Sequence, residues 1–125
     1  MADDHAEMRL AIHRALSAEF EVVGSVTNGR DLLRDALALL PDVIVADVAM
    51  PFLTGPQVMD ELKSEGHDVP FVLISGGFSG VDELIEHGAT AIVRKIDMVS
   101  ELTRAVHSAA SRKTYVSRSA RIGEL

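Results

Sequence analysis

The sequence predicts an α/β fold, a doubly wound parallel sheet with helices on both faces. Residues 43–46 and 71–74 are uninterrupted apolar runs, which are typical of strands buried on both faces rather than on one. Segments with apolar residues every three or four positions alternate with these runs, and such alternation favours helical crossovers between parallel strands. With 125 residues, the chain is long enough for one domain with its own core.

Four strands are predicted, and three of them end at a polar side chain. The run 43–46 leads into Asp47, and the run 71–74 leads into Ser75. A shorter run, 91–93, is followed by Arg94 and Lys95. A further strand is predicted at 20–26, which is also rich in valine. Because the carboxyl ends of parallel strands meet at one edge of a sheet, these polar groups are expected to lie near one another.

The same periodicity predicts five helices. The first begins soon after Asp3 and Asp4, either of which is a plausible N-cap. The second follows Asn28 and ends before Pro41, which cannot continue a helix. The remaining three are expected at about 55–65, 81–87 and 99–111.

Charge divides the chain into an acidic domain, 1–111, and a basic linker or tail, 112–125. The first part carries 18 acidic and 8 basic residues, and the second carries 4 basic residues and 1 acidic residue. An acidic body disfavours direct contact with nucleic acid. No apolar run approaches the roughly 20 residues of a membrane-spanning helix, and the absence of cysteine excludes thiolate chemistry. We therefore expect a cytoplasmic protein.

The carboxylates Asp3, Asp4 and Asp47, with the Ser75 hydroxyl and the Lys95 ammonium, form the candidate site. Three crowded carboxylates repel one another unless a cation lies between them, which predicts Mg²⁺, an ion that prefers oxygen ligands. A metal beside a carboxylate, a lysine and a hydroxyl suits phosphoryl transfer, since charge on the phosphoryl oxygens must be neutralised. Asp47 is then the nucleophile.

Each of these residues also has an ordinary structural interpretation. Asp3 and Asp4 could be helix caps, Asp47 could cap a turn, Ser75 could be a turn residue, and Lys95 could be a solvated charge at a sheet edge. The five histidines share no ligand spacing and are interpreted as surface groups.

Taken together, the order and spacing of these residues resemble the receiver domain of two-component response regulators. The resemblance covers about residues 2–111. His5 after the acidic pair, and the composition of the tail, resemble the NarL/FixJ/LuxR-type subgroup, whose receivers precede a helix-turn-helix DNA-binding domain. The matching positions are the acidic pair, the acceptor with its Met-Pro turn and glycine, and the last two strand ends: Asp3, Asp4, Asp47, Met50, Pro51, Gly55, Ser75 and Lys95.

The resemblance implies a flavodoxin-like fold and a phosphorylation switch, not an enzyme. A sensor histidine kinase or a phosphotransfer protein would donate the phosphoryl group, and the conformational change would control an output or a partner in transcription. A shift of the loop that begins at Gly76 would transmit the change. The implied roles are phosphoacceptor for Asp47, phosphate contacts for Lys95 and Ser75, and Mg²⁺ binding by Asp4 directly, Asp3 through water, Asp47 and the Ala49 backbone carbonyl.

Two positions depart from the family pattern. Receivers open with an apolar central strand before the acidic pair, but here Met1 and Ala2 alone precede Asp3. We therefore expect that the chain starts late or that a partner subunit or exchanged segment fills the place, as in a homodimer or strand-exchanged dimer. Ile92 stands where the family usually has an aromatic residue, which predicts altered coupling.

Two other functions remain open at this stage. The alternative is a pseudo-receiver that is not phosphorylated and acts as a protein–protein interaction or dimerisation module. A phosphatase with an aspartate nucleophile is disfavoured, because Ala49 stands where a second carboxylate would act as general acid.

Overall fold

The computed structural model describes residues 1–77 and 80–122, with the backbone alone at 121 and 122. Four parallel strands form one sheet in the order β1-β2-β3-β4. The predicted parallel α/β fold is thus confirmed. The strands are β1 (Ile44–Asp47), β2 (Phe71–Ser75), β3 (Ala91–Arg94) and β4 (Tyr115–Val116).

Helices cover both faces of the sheet. On one face α1 and α5 pack against Val45, Val72 and Val93, and on the other α2 and α3 pack against Ala46 and Leu73. Because β1 and β2 are buried on both faces, their apolar runs show no alternation. The helices are α1 (Ala6–Ser17), α2 (Gly29–Leu39), α3 (Gly55–Ser64), α4 (Val81–His87), α5 (Met98–Ala110) and α6 (Arg118–Ile122), with a 3₁₀ turn at Lys95–Asp97.

Helices α2 and α3 begin at capping side chains, whereas the N-cap predicted for α1 differs from the one observed. The Asn28 side chain accepts a hydrogen bond from the backbone N–H of Asp31, and Thr54 forms a capping box at the start of α3. The predicted N-cap at Asp3 or Asp4 is wrong, because His5 occupies that position and makes no side-chain cap. Asp3 and Asp4 are therefore free of a capping role in α1.

The first residues lie beside β1, between that strand and Val26, as a very short extended segment. Ala2 bridges in parallel to both Val26 and Ala46. Its N–H donates to the carbonyl oxygen of Val45 at 2.8 Å, and its carbonyl accepts from the N–H of Asp47 at 3.1 Å. The predicted strand 20–26 is wrong apart from the bridge at Val26, since so short a segment offers it almost no pairing partner.

The segment after α5 is folded against the domain, although the sequence predicted a linker or tail at 112–125. Tyr115 and Val116 pair with Ala91 and Ile92 of β3. The buried Ser117 then accepts a hydrogen bond at its hydroxyl from the Arg94 N–H, at 2.9 Å. Residues 123–125 of the predicted tail, like residues 78 and 79, lie outside the described residues. Within the described ranges, the helices are too short or too polar to cross a membrane.

Candidate functional site

Asp47 is the last residue of β1 and lies at the carboxyl edge of the sheet. It is 5% exposed, although it carries a carboxylate. Its Oδ1 accepts a hydrogen bond from the N–H of Ala49 at 3.1 Å, which fixes the carboxylate against the loop that follows β1. Gly55 allows this close packing, since a Cβ there would lie 2.9 Å from the carbonyl oxygen of Asp47.

Lys95 reaches Asp47 across the width of one intervening strand. It directly follows β3, and its Nζ lies 3.4 Å from Oδ2 of Asp47. The parallel registers explain the approach, because Asp47 pairs with Ile74, while the next residue, Ser75, pairs with Arg94. Residues 48 positions apart in sequence are thereby brought together, as the strand ends predicted.

The acidic pair at the start of the chain lies beside Asp47. Asp3 is fully buried, and its Oδ1 accepts a 2.8 Å hydrogen bond from the backbone N–H of His5. Its Oδ2 is buried and has no hydrogen-bond partner among the described residues. One ligand atom from each of Asp3, Asp4, His5 and Asp47 can be chosen so that all lie within 4.8 Å of one another.

The environment raises the pKa of Asp47 above its ordinary value. Burial is the largest cause, because it disfavours the charged form. The hydrogen bond from Ala49 and the charge of Lys95 oppose this rise, whereas the neighbouring Asp3 adds to it. A buried carboxylate in this position would gain from an additional positive charge.

The cluster fits a hard divalent cation. Two carboxylates are buried side by side, and an unpaired buried oxygen such as Asp3 Oδ2 is costly unless a ligand completes it. Carboxylate oxygens are the donors that Mg²⁺ prefers. Asp3, Asp4 and Asp47 could hold the ion. Ala49 directs its N–H to Asp47, and its carbonyl, also predicted as a ligand, belongs to the same exposed loop.

Ser75 ends β2 at the same edge, but its hydroxyl is engaged with the loop. It donates to the carbonyl oxygen of Gly77 at 3.1 Å and accepts from the Gly77 N–H at 3.3 Å. The Lys95 stem passes nearby, with its Cδ 4.0 Å from a Cβ built at Gly76. The structure therefore brings Asp3 and Asp4 beside Asp47 and places Lys95 in contact with Asp47, while the Ser75 hydroxyl is bonded to the adjoining loop.

His5 is the residue that the sequence analysis missed. Its Nδ1 lies 3.0 Å from Oδ1 of Asp4 and 3.4 Å from Oδ1 of Asp3. Its side chain is 67% exposed, in keeping with the interpretation of the histidines as surface groups, but it lies beside the acidic pair. The signal was its position directly after two acids, since the Asp3 carboxylate accepts from the backbone N–H of His5 and holds it beside the pair.

Comparison with known proteins agrees with this geometry. The family model described as the response regulator receiver domain matches residues 1–107. The receiver domain of the response regulator NarL from Mycobacterium tuberculosis superposes with a TM-score of 0.82 and 32% identity, covering 88% of this chain and 92% of that one.

Two curated relatives are longer proteins with different activities, and each matches this chain over part of its length. A protein-glutamate methylesterase/protein-glutamine glutaminase of Geobacillus kaustophilus is 35% identical over 101 residues, which cover 76% of this chain and 29% of that protein. The virulence-factor positive transcription regulator BvgA of Bordetella pertussis is 29% identical over 116 residues, which cover 90% and 56%. This chain thus spans between about a third and about half of these relatives. The chain belongs to the receiver domain family of two-component response regulators.

Proposed function

We propose that this domain is a phosphorylation switch and that Asp47 accepts the phosphoryl group. In the reaction, the N–P bond of a donor phosphohistidine breaks as an oxygen of Asp47 forms a new O–P bond, and the proton needed by the released imidazole comes from solvent. The observation that carries the proposal is the position of the buried Asp47 carboxylate, 3.4 Å from Lys95 and beside the unpaired oxygen of Asp3.

The chain's own residues would neutralise and orient the transferred group. Lys95 would exchange its contact with Asp47 for one with a phosphoryl oxygen. The Ser75 hydroxyl would leave Gly77 and donate to another oxygen, which would move the loop that it now holds. A dianionic group can bias this loop because it is bound better by one loop conformation than by the other.

Mg²⁺ is the proposed cofactor. Asp4 and Asp47 would bind it directly, Asp3 would bind it through water, and the Ala49 carbonyl would complete the protein ligands. When bound, the ion offsets negative charge on the carboxylates and on the transferred phosphoryl group. The buried, unpaired Oδ2 of Asp3 supports this assignment.

The 3₁₀ turn that begins at Lys95 offers a route from the site to the end of the chain. Asp97, two residues on, accepts hydrogen bonds from the N–H and hydroxyl of Ser119, the former at 2.8 Å. A movement of Lys95 would therefore displace the hydrogen bonds that join this turn to α6. We infer that the output is read at this surface.

We further infer that the whole protein controls transcription, with the DNA-binding function in an output domain and with a sensor histidine kinase or phosphotransfer protein as donor. The match to BvgA, a transcription regulator, covers 90% of this chain. We accordingly propose that the whole protein is cytoplasmic and homodimeric and that this domain has no enzyme activity. The apolar side chains Ile96 and Val99, 76% and 89% exposed, offer one surface for a dimer.

A pseudo-receiver that acts only through protein–protein contacts is the second candidate. One observation favours it: a fully buried Ile92 replaces the usual aromatic. Absence of Mg²⁺ binding at millimolar metal would support this candidate, whereas saturable binding would oppose it.

Phosphorylation can be tested with acetyl phosphate and Mg²⁺, followed by intact mass measurement. We expect one added phosphoryl group on the wild type and none on Asp47→Asn. Lys95→Met should be labelled more weakly, while the exposed Lys63→Met serves as a matched control. Equal labelling of wild type and Asp47→Asn would refute Asp47 as acceptor.

A further inference from the structure

His5 directs a ring nitrogen at the acidic pair. Its Nδ1 lies 3.0 Å from Oδ1 of Asp4 and 3.4 Å from Oδ1 of Asp3. The backbone holds the residue in this place, because the N–H of His5 donates to the Asp3 carboxylate. His5 directly precedes α1 and its side chain makes no cap there, so the ring has no part in starting that helix. The position of Nδ1 therefore calls for another explanation.

The spacing of these atoms is that of neighbouring ligands on one metal ion. Zn²⁺ binds histidine nitrogen and carboxylate oxygen at about 2.0–2.2 Å, so neighbouring ligands in four- or five-coordinate geometry lie about 3.0–3.5 Å apart. The distances from Nδ1 to Asp4 and Asp3 are of this size. Asp47 extends the group, since one ligand atom from each of the four residues can be chosen within 4.8 Å of the others. Small rotations of the solvent-accessible Asp4 and His5 would bring these atoms onto an ion.

A buried oxygen in the cluster independently points to a cation as its partner. Asp3 is fully buried, and its Oδ2 has no hydrogen-bond partner within the part of the chain that the structure describes. Asp47, which is 5% exposed, lies beside it. Two buried carboxylates side by side are costly unless a positive charge compensates them. A cation held between them and His5 would supply that charge.

We propose that His5 is a metal ligand and that it makes this site selective for a divalent transition ion of the Zn²⁺ type over Mg²⁺. Nδ1 of His5 would bind the ion together with Asp4 and Asp47, and Asp3 would orient the group through water. Mg²⁺ prefers oxygen ligands, whereas an imidazole nitrogen suits Zn²⁺. His5 thus determines which ion the acidic pair holds.

The alternative is that His5 only shares a proton with Asp4. Two other contacts in the described residues serve as references for that situation: His87 lies 2.9 Å from Asp60, and His107 lies 3.4 Å from Glu19. Each joins one ring to one acid and offers an ion two ligands. Because His5 has three carboxylates within reach, it should bind Zn²⁺ before either reference does.

The inference rests on the proposed cation site but not on phosphorylation of Asp47. Failure of acetyl phosphate to label Asp47 would remove the acceptor role and leave the His5 assignment intact. Labelling in Mg²⁺ without any effect of Zn²⁺ on His5 would remove the His5 assignment and leave the switch intact.

The first test uses Zn²⁺ alone as the probe. One equivalent is added to uniformly ¹⁵N-labelled protein with assigned histidine resonances, and long-range ¹H–¹⁵N spectra then report each ring nitrogen separately. We expect Nδ1 of His5 to shift with Zn²⁺ and not with Mg²⁺, while the rings of His87 and His107 stay unmoved. An unmoved His5 Nδ1 overturns the proposal.

Two matched variants measure the selectivity. His5→Gln removes the ring nitrogen, and His13→Gln makes the same change at an exposed position of α1. Isothermal titration calorimetry should show that His5→Gln binds Zn²⁺ at least about 10-fold more weakly, since even an outer-shell group contributes that much, and binds Mg²⁺ within about twofold of the wild type. His13→Gln should match the wild type for both ions.

Amide ¹H–¹⁵N spectra verify that both variants keep the fold, and the spectra of the wild type decide the question if His5→Gln does not. The proposal is overturned if folded His5→Gln binds Zn²⁺ as tightly as the wild type. It is also overturned if the affinities for Zn²⁺ and Mg²⁺ fall by the same factor, because His5 would then support the acidic pair without selecting the ion.

Discussion

The Tyr115 hydroxyl donates a 2.6 Å hydrogen bond to Oε1 of Glu101, which joins β4 to α5. Glu101 is only 6% exposed, and its two oxygens also accept from the N–H of Arg118, at 3.2 and 3.1 Å. A buried carboxylate is tolerated when hydrogen bonds satisfy it. Glu101 therefore fixes both β4 and the start of α6 to the domain.

Tyr115→Phe should destabilise the domain by about 1–3 kcal/mol, because it removes a hydrogen bond to a buried charged group. The measurement is the free energy of unfolding in urea. Ser64→Ala is the control, since Ser64 donates an exposed hydrogen bond to the Glu61 carbonyl oxygen. A loss no larger than that of the control would mean that Glu101 does not hold the tail.

Asp47→Asn should stabilise the metal-free domain at neutral pH. The pKa of Asp47 is raised, so the folded state binds the proton more tightly than the unfolded state. Stability from this group is therefore full at low pH and is lost as pH rises from the unfolded pKa through the folded one. The advantage of Asp47→Asn should shrink as pH falls through that window.

Urea unfolding at several pH values checks this, with EDTA present to remove metal. The exposed Asp82→Asn is the control and should show little pH-dependent difference from the wild type. A wild type that becomes more stable than Asp47→Asn on going from acid to neutral pH would contradict the prediction.

Asp3→Asn should weaken Mg²⁺ binding by about 10–100-fold, the usual cost of removing a group that positions a metal through its outer shell. The physical reason is that the buried Oδ2 of Asp3 has no other partner among the described residues. Isothermal titration calorimetry measures the change, with the exposed Asp60→Asn as control. An affinity within twofold of the wild type would remove Asp3 from the site.

Gly55→Ala should cost about 1–3 kcal/mol through overpacking and should slow labelling of Asp47. The added Cβ would lie 2.8 Å from Cδ2 of Leu73 and 2.9 Å from the Asp47 carbonyl oxygen, so β1 must shift. Urea unfolding and the acetyl phosphate assay provide the two measurements. For stability, Gly77→Ala is the control, because a Cβ there meets nothing within 4 Å.

Much of the fold was predictable because it depends on local patterns. Strands β1, β2 and β3 were predicted within one residue at each end, since strands buried on both faces have continuous apolar sequences. The positions of Asp47 and Lys95 at the carboxyl ends of strands also predicted that their side chains would lie close together. The pattern could not show that the Ser75 hydroxyl turns to Gly77, because the orientation of a hydroxyl depends on the loop around it.

The errors arose where structure depends on distant partners. Residues 20–26 have strand composition, but the neighbouring segment pairs only through Ala2. Strand β4 has two residues, and its position depends on Glu101, which lies 14 positions before Tyr115. His5 joins the acidic cluster through a hydrogen bond from its backbone N–H to the Asp3 carboxylate, which no side-chain periodicity reveals.

Strand β4 also has a consequence for solubility. It covers part of β3 on the side away from β2, where unpaired N–H and C=O groups would otherwise form a template for other chains. Because β4 has so few residues, this edge strand presents few unpaired backbone groups to another chain. Proteolysis after Arg112 would remove β4 and expose the edge of β3, and the resulting fragment would tend to self-associate through that edge.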